Sequence, residues 1–279
     1  MLSILQLQQL ATCNRYNPAA YLELCRALVA NGQLEAARTY FNRWQYIDPD
    51  NPVIGYQRSL LLDADHLSQL PLAYVANEFD KFADSFDRTL GGLNYSVPSR
   101  FAELLYQWVG ENKLDCALDL GCGTGLCGMR ARRYARSLWG VDVSAGMLAK
   151  SRLRGVYDRL VEREFHVFLE ECESRFDLIL AGDSLIYIGD LRAVLGSAAR
   201  ALMPNGLMLM SFEEAEDERP FRLPATLRFK HARSYVENTI HECGMRLEHM
   251  EQYVIRTEGG MPVPGLIILA RGARVAVDG

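Results

Sequence analysis

The stretch Asp119-Leu120-Gly121-Cys122-Gly123-Thr124-Gly125 constrains this chain more than any other. It follows an apolar run at 116–120, read as a buried strand, and leads into a helical pattern. In a doubly wound sheet such a turn lies at the carboxyl end of the first strand, where ligands bind. Glycines there permit a tight turn and let a ligand approach the backbone closely. Gly123-x-Gly125-x-x-Gly128 also matches the dinucleotide fingerprint letter for letter. Two features speak against a dinucleotide. Gly121 already begins the turn, and Asp119 ends the strand beside the place a pyrophosphate would take. An anion there repels a diphosphate and suits a ligand carrying ammonium and sulfonium groups. A second acid, Asp142, ends the apolar run at 138–143. It lies roughly 20 residues beyond the glycines, the spacing at which an acid takes ribose hydroxyls. Both hydroxyls can donate to one carboxylate, with Val143 against the adenine face.

From residue 113 onward strand and helix patterns alternate, which implies a mostly parallel sheet. Strands are expected at 116–120, 138–143, 159–165, 176–181 and 207–213. After Gly244, runs at 246–256 and 263–270 flank Glu258-Gly259-Gly260 and read as an antiparallel hairpin. The expected fold is therefore α/β, a Rossmann-like, seven-stranded, mostly parallel sheet with a terminal antiparallel hairpin. Ahead of it, apolar residues recur at helical spacing in 2–10, 21–29 and 34–46, with Asn31-Gly32 as a turn signal. Residues 63–71 read as a connector. Residues 74–90 read as one or two helices with an aromatic stripe of Phe79, Phe82 and Phe86. The expected division is a small all-α region at 1–67, a linker and helical cap at 68–112, and a ligand-binding domain at 113–279.

A length of 279 residues suits one such domain plus a smaller module. The formal net charge of −5 argues against nucleic acid as the main partner, since a phosphate backbone calls for a basic surplus. No apolar run approaches the roughly 18 residues of a membrane span, so no membrane partner is expected. Residues 1–10 lack the basic start of a signal peptide. Seven scattered cysteines, an odd number, suit a reducing cytoplasm better than a disulfide framework. No cysteine or histidine spacing suggests a metal site.

Residues 21–49 resemble a tetratricopeptide repeat. Tyr21, Leu24 and Leu28 hold the bulky positions, Ala37 and Phe41 the second helix, and Pro49 follows; Cys25 stands where the pattern prefers glycine. One repeat cannot bury its own apolar face. It must pack on flanking helices, on the larger domain or on another chain, so residues 1–67 are a candidate surface for a protein partner.

From Tyr74 to Gly272 the chain resembles the class I S-adenosylmethionine-dependent methyltransferases, and within them those that carry tetratricopeptide repeats. The matching motifs are Phe79-Asp80…Phe86-Asp87, Tyr95-x-x-Pro98, the glycine loop, Gly140-Val141-Asp142-Val143-Ser144…Met147-Leu148, Phe176-Asp177-Leu178-Ile179, Tyr187-x-Gly189-Asp190-Leu191 and Arg228-Phe229-x-His231…Tyr235-Val236. The resemblance implies S-adenosyl-L-methionine as cofactor. It places Asp119 at the methionine ammonium, the backbone of Gly121, Cys122 and Gly123 beneath the cofactor, and Asp142 at the ribose. Val143 and Met147 follow in the same motif. Glu164 would accept from the adenine amino group, with Phe165 beside the ring. Ala181-Gly182-Asp183-Ser184 would face the methionine moiety, with Tyr187 just beyond. Three positions depart from the pattern: Phe82 replaces a tyrosine, Asn205 replaces a glycine before the fifth strand, and Ala232 removes a hydroxyl after His231.

The function expected is methyl transfer to a small-molecule acceptor. Alternatives are methylation of a protein or carrier-tethered substrate docked by the helical region, and a non-catalytic cofactor-binding adaptor. Asp183, Tyr187, Glu213 and His231 are the candidates for taking a proton from the acceptor. His231 comes first, because Pro220, Pro224, three arginines and Lys230 make residues 219–231 read as a surface loop over the acceptor.

Overall fold

Tyr21, Leu24, Cys25 and Leu28 fall on one face of a helix, and Ala37, Phe41 and Trp44 on one face of the next. Their spacing of three and four residues is that of a helical stripe meeting a partner. The computed structural model describes residues 3–13, 17–62, 67–224 and 226–273. The chain forms two compact units, Met1–Tyr74 and Val75–Gly279.

The first unit contains α1 (Ile4–Cys13), α2 (Pro18–Ala30), α3 (Leu34–Ile47) and α4 (Pro52–Leu62). Asn17 caps α2 by accepting from the Ala20 N–H at 3.1 Å, with Pro18 in the first turn. The turn to α3 passes through Gly32 at φ +72°. Trp44 stacks on Tyr21 and Phe41, with ring centroids 6.1 and 6.2 Å away. Cys25 is buried between α2 and α3, which is how a thiol takes the position where glycine is preferred; burial pushes its pKa up to about 12. Leu2 of the expected first helix and residues 63–66 of the expected connector lie outside the described residues.

The second unit opens with α5 (Leu72–Phe82, from Val75 on), α6 (Phe86–Gly92) and α7 (Val97–Val109). It continues with β1 (Leu114–Leu120), α8 (Leu126–Ala131), β2 (Ala135–Asp142), α9 (Ala145–Arg154), β3 (Arg159–Glu162), α10 (Phe165–Glu170) and β4 (Phe176–Ala181). Then come α11 (Arg192–Ala201), β5 (Leu202–Glu214), β6 (Phe221–Arg222), β7 (Lys230–His231), α12 (Arg233–Glu242), β8 (Arg246–Glu258) and β9 (Met261–Arg271). The strands order as β3-β2-β1-β4-β5-β7-β6, while β9 pairs antiparallel with both β5 and β8. Neighbours among β1 to β5 are parallel. Their aliphatic runs are buried on both faces, as central parallel strands require. Alternation sends Leu118 and Leu120 of β1 into one core cluster and Ala117 into the other, which leaves Asp119 on the side of Ala117. With β1 between β2 and β4, strand order reverses at its carboxyl end, which is where a ligand crevice forms.

Seven long strands follow the expected pattern. The two-residue strands β6 and β7 bring the sheet to nine. β3 ends at Glu162, so Glu164 and Phe165 belong to the start of α10 instead of to a strand. Asn205 adopts φ +62°, a left-handed conformation that asparagine tolerates in place of glycine. Among the described residues no helix is long and apolar enough to cross a membrane.

Trp44 is the largest side chain in the core of the first unit. Trp44→Ala is expected to destabilise that unit by about 3–5 kcal/mol. Thermal unfolding followed by helical circular dichroism checks this, and an unshifted transition contradicts the packing.

Candidate functional site

β1 and β2 are in register at Asp119↔Gly140 and Leu120↔Val141, so their carboxyl ends emerge together. Asp142 therefore stands beside the glycine turn. Its Oδ2 accepts from the Gly123 N–H at 2.8 Å and its Oδ1 from the Ser144 N–H at 2.9 Å. The residue is 8% exposed. Burial raises its pKa, opposed by the backbone N–H groups of Ser144, Gly123 and Val143. Ser144 caps α9, its Oγ accepting from the Met147 N–H at 3.0 Å and donating to Asp80 Oδ1 at 2.6 Å. Asp80 also accepts from the Gly146 N–H at 2.9 Å, so α5 is pinned to the start of α9.

The glycine turn forms a backbone ledge. Gly121 and Gly123 keep exposed surface while Cys122 and Thr124 are buried. Gly121 has φ +64°, and a Cβ there would meet Ser184 Cβ at 2.4 Å. The ledge is tied down by the Cys122 N–H to Val141 O at 3.0 Å and by Ser151 Oγ donating to Gly123 O at 2.8 Å. Asp119 lies beneath it, 1% exposed, accepting from Tyr157 Oη at 2.7 Å. Burial above all pushes the Asp119 carboxyl up to about 7; the Tyr157 hydroxyl and the Gly128 N–H oppose this, and the nearby Asp142 adds to it.

On the other side of β1, β4 ends at Ala181 and the chain turns through Asp183 at φ +53°. The Asp183 N–H donates to Ser211 Oγ at 2.8 Å, and that hydroxyl donates back to Asp183 Oδ1 at 2.8 Å. Arg256 Nη1 donates to Asp183 Oδ2 at 3.0 Å. Arg256 also donates to Glu213 and, at 2.7 Å, to Glu258; Arg228 donates to the same two glutamates at 2.7 Å. Burial raises the Asp183 pKa, opposed first by Arg256. Tyr187, in the 3₁₀ turn Leu185–Tyr187, meets Phe79 edge to face at 5.4 Å. Phe86 lies 6.1 Å from Phe79 and 5.3 Å from Phe82, so the aromatic stripe of α5 and α6 reaches Tyr187. Burial drives the Tyr187 hydroxyl well above its ordinary value, which suits it to donate a hydrogen bond and not to take a proton.

Asp119, Gly121, Cys122, Gly123, Asp142, Val143, Gly182, Asp183 and Tyr187 thus gather at the carboxyl ends of β1, β2 and β4. Met147 and Ala181 have no exposed surface and back the wall instead of forming it. Glu164 caps α10, accepting from the N–H groups of His166 at 3.0 Å and Val167 at 2.7 Å, and Phe165 packs against the core.

His231 needs correction. It is 0% exposed, and its Nε2 lies 2.9 Å from Ile188 O and 3.2 Å from Gly189 O. Both partners are acceptors, so Nε2 carries the proton and donates. Nδ1 is buried without a partner, and the rings of Phe212, Phe221, Phe229 and Tyr235 enclose the imidazole. Burial lowers its pKa to about 4. This histidine is a core residue pinning β7, and the segment read as a loop carries the paired strands β6, at Phe221–Arg222, and β7, at Lys230–His231. Sequence reasoning also missed Tyr157 and Arg256, and it quoted Asp80 within a matching motif without giving it a role. Arg256 carried a signal, a cation directly after the apolar pair Val254-Ile255; Tyr157 carried none.

Residues 118–208 match the family described as "Methyltransferase domain", and residues 6–56 match "Tetratricopeptide repeat". The chain is 32% identical over 143 residues to "Biotin biosynthesis bifunctional protein BioHC" of Saccharophagus degradans, covering 50% of this chain and 24% of that protein. It is 34% identical over 96 residues to "Ubiquinone biosynthesis O-methyltransferase" of a Bradyrhizobium species, covering 34% of this chain and 38% of that protein. The chain thus spans well under half the length of these relatives. In fold it is similar to a Leishmania major S-adenosylmethionine-dependent methyltransferase, with a TM-score of 0.59 at 15% identity over 72% of this chain and 83% of the other. A glycine ledge between two buried carboxylates, on a sheet of this order and within these matches, leads to one assignment: residues 118–208 are a methyltransferase domain on the fold of the S-adenosylmethionine-dependent methyltransferases, with a tetratricopeptide repeat ahead of it at residues 6–56.

Proposed function

We propose that this chain methylates a small-molecule acceptor at the carboxyl ends of β1, β2 and β4. The observation that carries the reading is the uncovered ledge of Gly121 and Gly123 between the buried carboxylates Asp119 and Asp142. Its shape and charge fit the donor. A Cβ on Gly123 would have only Phe86 within 4 Å, at 3.9 Å, so the space above the ledge is open there; two acids favour a cationic ligand over a diphosphate, and the Asp142 oxygens that accept from the Gly123 and Ser144 N–H groups can also accept from ribose hydroxyls.

S-adenosylmethionine supplies a methyl group activated on a sulfonium. The chain's own contribution is to bind, orient and exclude water, a source worth up to about 7–11 kcal/mol of the barrier. Asp142 and the ledge hold the nucleoside, Asp119 supplies negative charge beneath the methionine moiety, and Glu164, whose oxygens cap α10, is assigned to the adenine by the family resemblance. Phe79, Phe86 and Tyr187 form an aromatic wall against water. Asp183, fixed by Ser211 and Arg256, is the group we assign to orient the acceptor and hold its proton, in place of His231. The aromatic wall and the biosynthetic names of the two relatives support a small acceptor. The tetratricopeptide match supports a second reading, in which residues 1–67 dock a protein or carrier that bears the acceptor. Incubation with labelled donor and cell lysate separates the two: label in the small-molecule fraction supports the first, label in protein the second.

Asp142→Ala removes two charge-assisted bonds of about 1.5–3 kcal/mol each, so affinity for S-adenosylhomocysteine should fall about a hundredfold or more in a folded protein. Unchanged calorimetric affinity would sink the assignment. Gly121→Val puts a side chain at φ +64° and against Ser184, and should abolish donor binding; normal binding would mean the ledge is elsewhere. His231→Ala should cost about 2–4 kcal/mol of stability, as a buried and bonded ring does, while turnover per folded molecule stays close to wild type. A large loss of turnover with unchanged stability would restore a chemical role for His231.

A further inference from the structure

Tyr157 occupies a slot opened by three glycines. It lies between α9 and β3, just after Gly155 ends α9. A Cβ on Gly128 would lie 2.2 Å from its Oη, one on Gly140 3.0 Å from Cε1, and one on Gly125 3.1 Å from Cε2. Gly125 and Gly128 are two of the glycines that make the loop match a dinucleotide fingerprint. Here they admit a side chain of the chain itself, whose hydroxyl reaches Asp119 at 2.7 Å.

We infer that Tyr157 is a positioning residue of the donor site: seated in this slot, it donates to Asp119 and holds the negative charge that a cationic methionine moiety needs, an inference that rests on the donor-binding reading above. Five other groups face Asp119: Asp142 at the end of β2, Cys122 in the glycine turn, Cys127 and the Gly128 N–H on α8, and Tyr95 ahead of α7. Burial keeps both thiols and Tyr95 neutral by pushing their pKa values up, so Asp142 is the one charge among them, and it opposes ionisation of Asp119. Tyr157 and the Gly128 N–H act in the opposite sense. Burial pushes the Asp119 carboxyl up to about 7, so its charge near neutrality depends on this balance. A phenolic hydroxyl bonds more strongly to the carboxylate than to the acid. Removing it therefore raises the Asp119 pKa, and a ligand that needs the anion then binds as in the wild type only at higher pH.

The test is calorimetric affinity for S-adenosylhomocysteine across about pH 6 to 9, in the full chain and in Tyr157→Phe, which keeps the ring in the slot. The ratio of the two constants cancels the ligand's own titration. One pKa unit is tenfold in that ratio, so the variant should bind about tenfold more weakly near pH 6.5 and converge to within about twofold near pH 9. In an Asp119→Asn background Tyr157→Phe should leave the ratio independent of pH. A ratio that is constant across pH in the Asp119 protein would overturn the proposal while leaving the donor reading intact. No binding by the wild type at any pH would overturn both. Thermal unfolding reports whether the variant folds. If it does not, Gly128→Ala, whose Cβ displaces the hydroxyl, is measured against the same two outcomes.

Discussion

Asp142 joins the glycine turn to the end of β2 through one carboxylate, accepting from Gly123 on one side and Ser144 on the other. Those two bonds fix where the ledge lies relative to the next helix. From Ser144 the network runs to Asp80, so the aromatic stripe of α5 and α6 is registered to the same point. The buried backbone N–H groups find a partner in Asp142, which is why a nearly buried acid is tolerated there. A neutral side chain of similar size would leave the turn tied by weaker bonds and the site without one of its two negative charges.

The charges sort into two groups with different roles. Asp119 and Asp142 face backbone N–H groups and a tyrosine, with no guanidinium among the groups that shape their pKa values. Asp183, Glu213 and Glu258 are bonded to Arg228 and Arg256. In the proposed function the first group meets the cationic donor. The second is internally compensated apart from one excess negative charge, three carboxylates against two guanidiniums, and so shapes the acceptor side without binding a cation strongly. In the proposed function this division puts the donor over β1 and β2 and the acceptor beyond β4.

Much of the fold was legible because parallel strands buried on both faces read as aliphatic runs, as in 176–181 and 207–213. Asp142 was legible because its distance from the glycines reflects one βαβ step. The strands β6 and β7 were not, since two residues show no periodicity. His231 was misread because the prolines and arginines near it suggested a loop, whereas Phe221, Phe229 and Tyr235 are the residues that decide its burial. Tyr157 was invisible for a different reason. The glycines that accommodate it were read as making room for a ligand, and composition cannot tell which neighbour a missing side chain admits.

Hydrogen–deuterium exchange with and without S-adenosylhomocysteine tests the central claim most directly, because it reports on the ledge itself. The account predicts slowed exchange at residues 121–125 and 143–147 with this ligand, and no change there with NAD. Protection by NAD at those residues, or protection by S-adenosylhomocysteine confined elsewhere, would contradict it.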